Sequence, residues 1–180
     1  MPELPEVETL RRELESTVCG ARIEAVDLRW RSFLITPRGT PDSEIPGQRI
    51  IAIRRRGKEL VFDLDRDWHL LLHLKMTGQV VVQRRGKTVA YGGYPTRNLR
   101  GPMPNSWTRV IFVLSGSRSL FINDLRKFAR LRPVTSAALQ SDPFLSRMGP
   151  EPLGRGFTLA GFRQQLSRNR FASIKAVLLD

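Results

Sequence analysis

The chain has 180 residues, with 30 Lys and Arg against 17 Asp and Glu and a formal charge of +13. At this length one domain with a sizeable core is the default, and a hydrophobic content of 41% excludes a disordered basic tail. The positive excess favours a polyanionic partner, and no apolar run approaches the roughly 18 residues that span a bilayer.

Residues 3–18 place Leu4, Val7, Leu10, Leu14 and Val18 at a helical period, and Gly20 supplies a stop. The single cysteine, Cys19, lies at the end of this helix. It excludes an intrachain disulfide and any multi-cysteine zinc site. No signal peptide precedes the acidic N-terminus, so a cytoplasmic protein is expected.

Short strand-like runs follow at 22–28, 49–54, 60–64, 69–75, 79–83, 109–114, 119–123 and 127–132. Asp65-Arg66-Asp67 and Ser115-Gly116-Ser117 read as hairpin loops. The fold class expected is therefore α+β and mostly β. It is an eight-stranded β-sandwich or flattened barrel, flanked by an N-terminal helix and C-terminal helices. His69 and His73 fall on one face of a strand without a carboxylate or thiol partner in the pattern, so no metal is expected. Residues 36–48 and 84–107 read as surface loops, the second carrying Arg84, Arg85, Lys87, Arg97 and Arg100. Helical periodicity returns at about 158–167 and 171–180. The last apolar helix stops without a cap, which points to a longer chain.

The N-terminus carries the chemistry. Methionine before a small residue is usually trimmed, which would leave Pro2 with a free secondary amine. An α-amino group has a pKa of about 7.7–8.0, and amines attack aldehydic carbons to form Schiff bases. Glu3 and Glu6 follow within one helical turn, close enough to exchange protons with such an amine. The plainer alternative is a proline-started helix whose acidic first turn suits the macrodipole.

Five motifs in order resolve that choice. The chain resembles the formamidopyrimidine-DNA glycosylases through MPELPEVETLRREL at 1–14, RRRGKEL at 54–60, HLKMTG at 73–78, NDLRKF at 123–128 and LSRMGPEPL at 145–153. SIKAVLLD at 173–180 matches the start of that family's next domain, and Leu4 separates the chain from the endonuclease VIII branch. The resemblance implies a base-excision-repair glycosylase with AP-lyase activity that removes 8-oxoguanine and formamidopyrimidines from double-stranded DNA. In it Pro2 is the nucleophile, Glu3 the general acid at the sugar ring and Glu6 a second carboxylate positioning water or the amine. Lys58 contacts the phosphate beside the lesion and donates a proton in β-elimination. An isolated RRRGK would instead read as a solvated strand end, and an isolated Met76 as core.

Met76, Arg126 and Phe128 match the family's intercalating triad, which fills the stack when the damaged base is flipped out. Arg126 and Phe128 are expected on one face of a strand. Trp107 stands where the family often has a DNA-contacting His, and Arg170 and Lys175 are candidate phosphate contacts. Leu125 and Ala129 depart from the family, Ala129 replacing a glycine and so narrowing the backbone beside the wedge.

The resemblance further implies a catalytic β-sandwich domain over 1–153. Residues 154–180 then lead towards a helix–two-turns–helix and finger region that the sequence lacks. No cofactor is expected in this chain, zinc belonging only to such a finger. The expected partner is damaged duplex DNA, with no membrane and a monomeric state. This fragment alone is expected to be weak or inactive. A non-catalytic basic DNA-binding module is the alternative, and it leaves the acidic N-terminus unexplained.

Overall fold

The structure, a computed structural model, describes residues 2–34, 44–94, 101–168 and 171–179. Helix α1 (Leu4–Val18) buries Val7, Leu10, Leu14 and Val18, the stripe that the periodicity predicts. It ends before Gly20, which takes a φ of +79°.

Nine antiparallel strands follow among the described residues. They are β1 (Ile23–Leu28), β2 (Ile50–Arg56), β3 (Glu59–Leu64), β4 (Trp68–His73), β5 (Gly78–Arg84), β6 (Lys87–Gly93), β7 (Thr108–Leu114), β8 (Arg118–Asp124) and β9 (Arg130–Thr135). They form a five-stranded sheet in the order β1-β7-β8-β5-β6 and a four-stranded sheet in the order β2-β3-β4-β9. The expected sandwich is present, with one strand more than the eight that the sequence pattern marked out. Alternate side chains from both sheets meet in one core, among them Phe62, Leu72, Val80, Phe112 and Ile122.

The extra strand is β6, inside the stretch that reads as the 84–107 loop. Its residues Thr88, Val89 and Tyr91 are exposed and only Ala90 is buried, so no strong hydrophobic alternation marks it. The reason lies in α1, which packs against β6 and β2, the edge strands on one side of the two sheets. Leu10 lies so close to Gly92 that an added Cβ would come within 2.9 Å of its side chain. Small residues let the helix close that side of the sandwich. The basic Arg84, Arg85 and Lys87 consequently sit at the β5–β6 turn. They lie at the opposite end of β5 from Gly78, while Arg97 and Arg100 lie outside the described residues.

A short helix, α2 (Ser136–Gln140), ends this first compact unit, which spans residues 1–140. The second unit, residues 141–180, holds α3 (Pro143–Arg147), α4 (Leu159–Arg168) and α5 (Ile174–Leu179). Asp142 caps α3 by accepting from the Phe144 and Leu145 N–H groups at 3.0 Å. Rings of Phe157 and Phe162 meet at 5.5 Å.

Candidate active site and nucleic-acid interface

Pro2 is buried immediately before the N-cap of α1, and Glu3 is that N-cap. The Glu3 N–H donates to the Glu6 carboxylate at 3.0 Å, so Glu6 both caps the helix and stands one turn from Glu3. Lys58 lies in the two-residue loop between β2 and β3, where Gly57 takes a φ of +56° that a side chain would disfavour. This loop brings the Lys58 ammonium to 2.5 Å from a Glu3 carboxylate oxygen. Residues 55 positions apart in sequence therefore share one ion pair at the helix start.

The three wedge candidates also converge. Met76 lies in the turn between β4 and β5, whose N–H of Gly78 closes on the Leu74 carbonyl at 2.9 Å. A Cβ on Gly78 would meet that oxygen at 2.3 Å, so only glycine fits. From the loop between β8 and β9, the Arg126 guanidinium reaches Met76 Sδ at 3.2 Å and stacks over the Phe128 ring at 4.7 Å. Met76 and Phe128 are 41% and 48% exposed, too much for core residues of this size.

The expected strand placement of Arg126 and Phe128 is incorrect, because β9 begins only at Arg130. Lys127, at a φ of +61°, turns the loop so that its two neighbours nevertheless meet. The left-handed backbone thus falls on Lys127. Ala129 keeps an ordinary φ and buries its methyl in the core.

Asp124 organises both loops and was not singled out from the sequence. Its carboxylate is fully buried and accepts from the Thr77 hydroxyl. It also accepts from the Arg126 N–H at 3.2 Å and the Ala129 N–H at 2.7 Å. Trp107, half-buried, accepts the Asp124 N–H at its carbonyl, 2.9 Å away, which places it beside the same loop. Below the wedge, Lys127 and Arg109 approach the Trp30 ring at 5.2 and 5.9 Å. An open groove of about 620 Å³ is lined by Ser32, Lys75, Met76, Lys127, Phe128, Ala129 and Arg130. Its charged lining is entirely cationic, which suits a phosphate backbone.

His73 links the two clusters. It pairs with Glu59, the residue after Lys58, on one side and with Arg130 on the other. Two strand spacings, about 10 Å, therefore separate the Lys58 loop from the wedge side. The Lys75 N–H donates to His73 Nδ1 at 3.0 Å, which leaves the proton of the neutral ring on Nε2. Burial, then the charges of Lys75, Lys58 and Arg130, push its pKa down to about 4.

A folded pKa below the unfolded value of 6.5 makes the unfolded chain the better proton binder between pH 6.5 and 4. Stability is expected to fall as pH drops through that window, by about 1–3 kcal/mol. His73→Asn keeps an acceptor for Lys75 and loses the titration. Urea midpoints of the two proteins at pH 7 and pH 4 check this, the variant showing the smaller change. His69 serves elsewhere, with Nδ1 at 2.7 Å from Asp63 and Nε2 at 3.0 Å from the Ser136 hydroxyl.

Of the remaining candidates, Lys175 is exposed on α5 in the second unit, and Arg170 lies outside the described residues.

The profile of the formamidopyrimidine-DNA glycosylase N-terminal domain matches residues 1–131. A formamidopyrimidine-DNA glycosylase of Cereibacter sphaeroides is 36% identical over the whole chain, which covers 61% of that protein. One from Methylocella silvestris is 38% identical, again over the whole chain and 60% of the relative. Among solved structures, a Lactococcus lactis Fpg bound to DNA containing an abasic site is 26% identical with a TM-score of 0.78. It aligns over 99% of this chain and 60% of that one. Another L. lactis Fpg complex, with tetrahydrofuran-containing (THF) DNA and an inhibitor, has a TM-score of 0.74 at 28% identity. It covers 93% of this chain and 56% of that one. The chain spans about three fifths of the length of its curated relatives. From the helix start to the wedge loops, this chain belongs to the formamidopyrimidine-DNA glycosylase family.

Proposed function

We propose that this chain is the nucleophile-bearing half of a bifunctional DNA glycosylase and AP lyase acting on oxidised purines, 8-oxoguanine and formamidopyrimidines, in duplex DNA. The observation that carries the reading is the Lys58–Glu3 ion pair at the start of the helix that Pro2 precedes. A simple phosphate-binding surface has no use for two carboxylates there.

With Met1 removed, the Pro2 nitrogen attacks the anomeric carbon as the base leaves with the glycosidic electron pair. The nitrogen passes its proton to the departing base, Glu3 protonates the ring oxygen O4′ as the C1′–O4′ bond breaks, and the nitrogen lone pair closes the iminium. Glu6 orients water or the amine. Abstraction of the C2′ proton and departure of the 3′ phosphate complete β-elimination, with Lys58 handling the proton beside that phosphate. Met76, Arg126 and Phe128 occupy the space that the extruded nucleotide vacates, and Trp107 stacks nearby. Arg170 and Lys175 contribute phosphate contacts from the second unit.

The relatives' further two fifths, a helical and finger region holding any zinc, would supply the opposite side of the clamp. The chain acts as a monomer in the cytoplasm on damaged DNA.

Borohydride trapping on an 8-oxoguanine duplex, after mass spectrometry shows loss of Met1, tests the reading. An adduct mapping to Pro2 supports it. An adduct only when a relative's downstream segment is added supports a half-site that needs the full clamp. No adduct under either condition favours the non-catalytic DNA-binding module.

A further inference from the structure

We infer that Arg55 is a positioning residue, whose guanidinium bridges Glu8 of α1 to the loop that presents Lys58. The inference rests on the reading of Lys58 and Glu3 as site residues. The Lys58–Glu3 pair does not hold itself. Glu3 and Lys58 are 52% and 29% exposed, and pairs of that kind contribute about 0–1 kcal/mol. Lysine also carries about 2 kcal/mol of rotamer entropy, and its neighbour Gly57 leaves the loop backbone permissive. Something else must fix where Lys58 starts.

Arg55 has the geometry to do so. Its side chain is 5% exposed. Nε donates to a Glu8 oxygen at 2.9 Å, and Nη1 donates to the Gly57 carbonyl at 2.8 Å. One planar head thus ties the carboxylate of a helix residue to the peptide joined to Lys58. The Glu8 end is itself anchored. Arg11 Nε and Arg12 Nε donate to the same carboxylate at 3.1 and 2.9 Å, and Arg11 Nη1 reaches the Ile53 carbonyl at 3.3 Å.

Burial works against the Glu8 charge, but hydrogen bonds from Arg11, Arg12 and Arg55 overcome it and bring its pKa to about 2. The carboxylate is therefore ionised wherever the protein is folded at ordinary pH. Helix α1 and the β2 end are joined at Ile53 and Gly57, and the Glu3 carboxylate and Lys58 ammonium are carried on the two joined parts. Lysine at position 55 has no diverging fork with which to satisfy both acceptors.

Arg55→Lys and Arg55→Met test the bridge, with Arg54→Met as control. Arg54 pairs with Asp63 across the strands. Reductive methylation of the whole chain, quantified lysine by lysine by mass spectrometry, needs no enzymatic activity. Lys58 should be methylated about 3–10-fold faster in Arg55→Met, as release from an ion pair of about 1 kcal/mol implies. The other lysines and the Arg54 control should keep their rates, which separates local release from unfolding. Single-turnover cleavage of abasic-site duplex should fall about 10–100-fold in Arg55→Lys, as for a catalytic group misplaced by about 1 Å. Affinity for a tetrahydrofuran-containing duplex should change less than about threefold.

Unchanged Lys58 methylation in both Arg55 variants would overturn the inference, and so would a cleavage loss no larger than the binding loss. If the unmodified protein neither cleaves nor traps, alone or with a relative's downstream segment, the proposed activity is wrong, and the methylation result alone decides the bridge.

Discussion

A chain that keeps Met1 is expected to form no borohydride-stable adduct with abasic-site DNA, whereas the same chain beginning at Pro2 forms one. In the longer form the Pro2 nitrogen is a tertiary amide. Its lone pair is delocalised into the carbonyl, and it has no proton to lose to give a neutral adduct. In the trimmed form it is a secondary amine near its pKa of about 7.7–8.0, and a useful fraction is unprotonated at neutral pH. The expected difference is at least about a hundredfold in trapped product, because the primary amine that Met1 retains stands one residue away from the position beside Glu3.

DNA affinity should hardly change, since the wedge and the cationic groove lie on β-sandwich loops well separated in sequence from residue 1. The two forms can be made by blocking or permitting methionine removal and verified by mass. Pro2→Gly supplies a primary amine at the same place and should retain part of the trapping. Equal trapping by the two forms would show that another amine, that of Met1 or of Lys58, attacks the sugar.

What made the candidate site legible was its locality. Pro2, Glu3 and Glu6 lie within about one turn of backbone at the start of a helix that follows directly from the spacing of Val7, Leu10, Leu14 and Val18. The wedge candidates were picked out by resemblance, and the structure brings them together, but their conformation was not legible. A positive φ at Lys127 is invisible in a residue type that seldom adopts it, so a strand was the natural expectation for Arg126 and Phe128. Strand β6 escaped for a tertiary reason. The partner on its buried face is a helix pressing on Ala90 and Gly92, and that contact selects small residues over the branched ones that announce strands. Helix α3 is a single capped turn, too short for periodicity to register. Arg55 and Asp124 escaped because their roles depend on partners far away in sequence: Glu8 for one, Thr77 for the other. A basic run such as RRRGK reads as a solvated strand end until the fold shows Arg55 turned inward.

Asp124 carries the largest expected effect on stability. Its carboxylate is fully buried and gathers the Thr77 hydroxyl and the Arg126 and Ala129 N–H groups from the two wedge loops. Asp124→Ala removes every one of these acceptors at once. The Arg126 N–H retains the Thr77 oxygen at 3.0 Å, so two donors rather than three lose their only acceptor in this network. At about 1–3 kcal/mol for each stranded buried donor, the expected loss is roughly 3–5 kcal/mol, a large part of the stability of a typical domain.

Asp124→Asn keeps the shape and one acceptor oxygen but turns an amide towards one of those donors. It should cost less, about 1–3 kcal/mol, and remain folded. In that folded variant the consequence for recognition can be read separately. The Met76 turn and the Arg126–Phe128 loop lose their common anchor, so the stacked wedge is no longer preassembled. Its ordering must then be met from binding energy. Affinity for a tetrahydrofuran-containing duplex should fall about tenfold for a loss near 1.4 kcal/mol, whereas affinity for undamaged duplex, set by phosphate contacts, should stay within about twofold. Urea denaturation and paired binding titrations at one salt concentration measure both effects. Wild-type stability in Asp124→Ala would show that the loops are held by other contacts, and equal losses on both duplexes would detach Asp124 from the wedge.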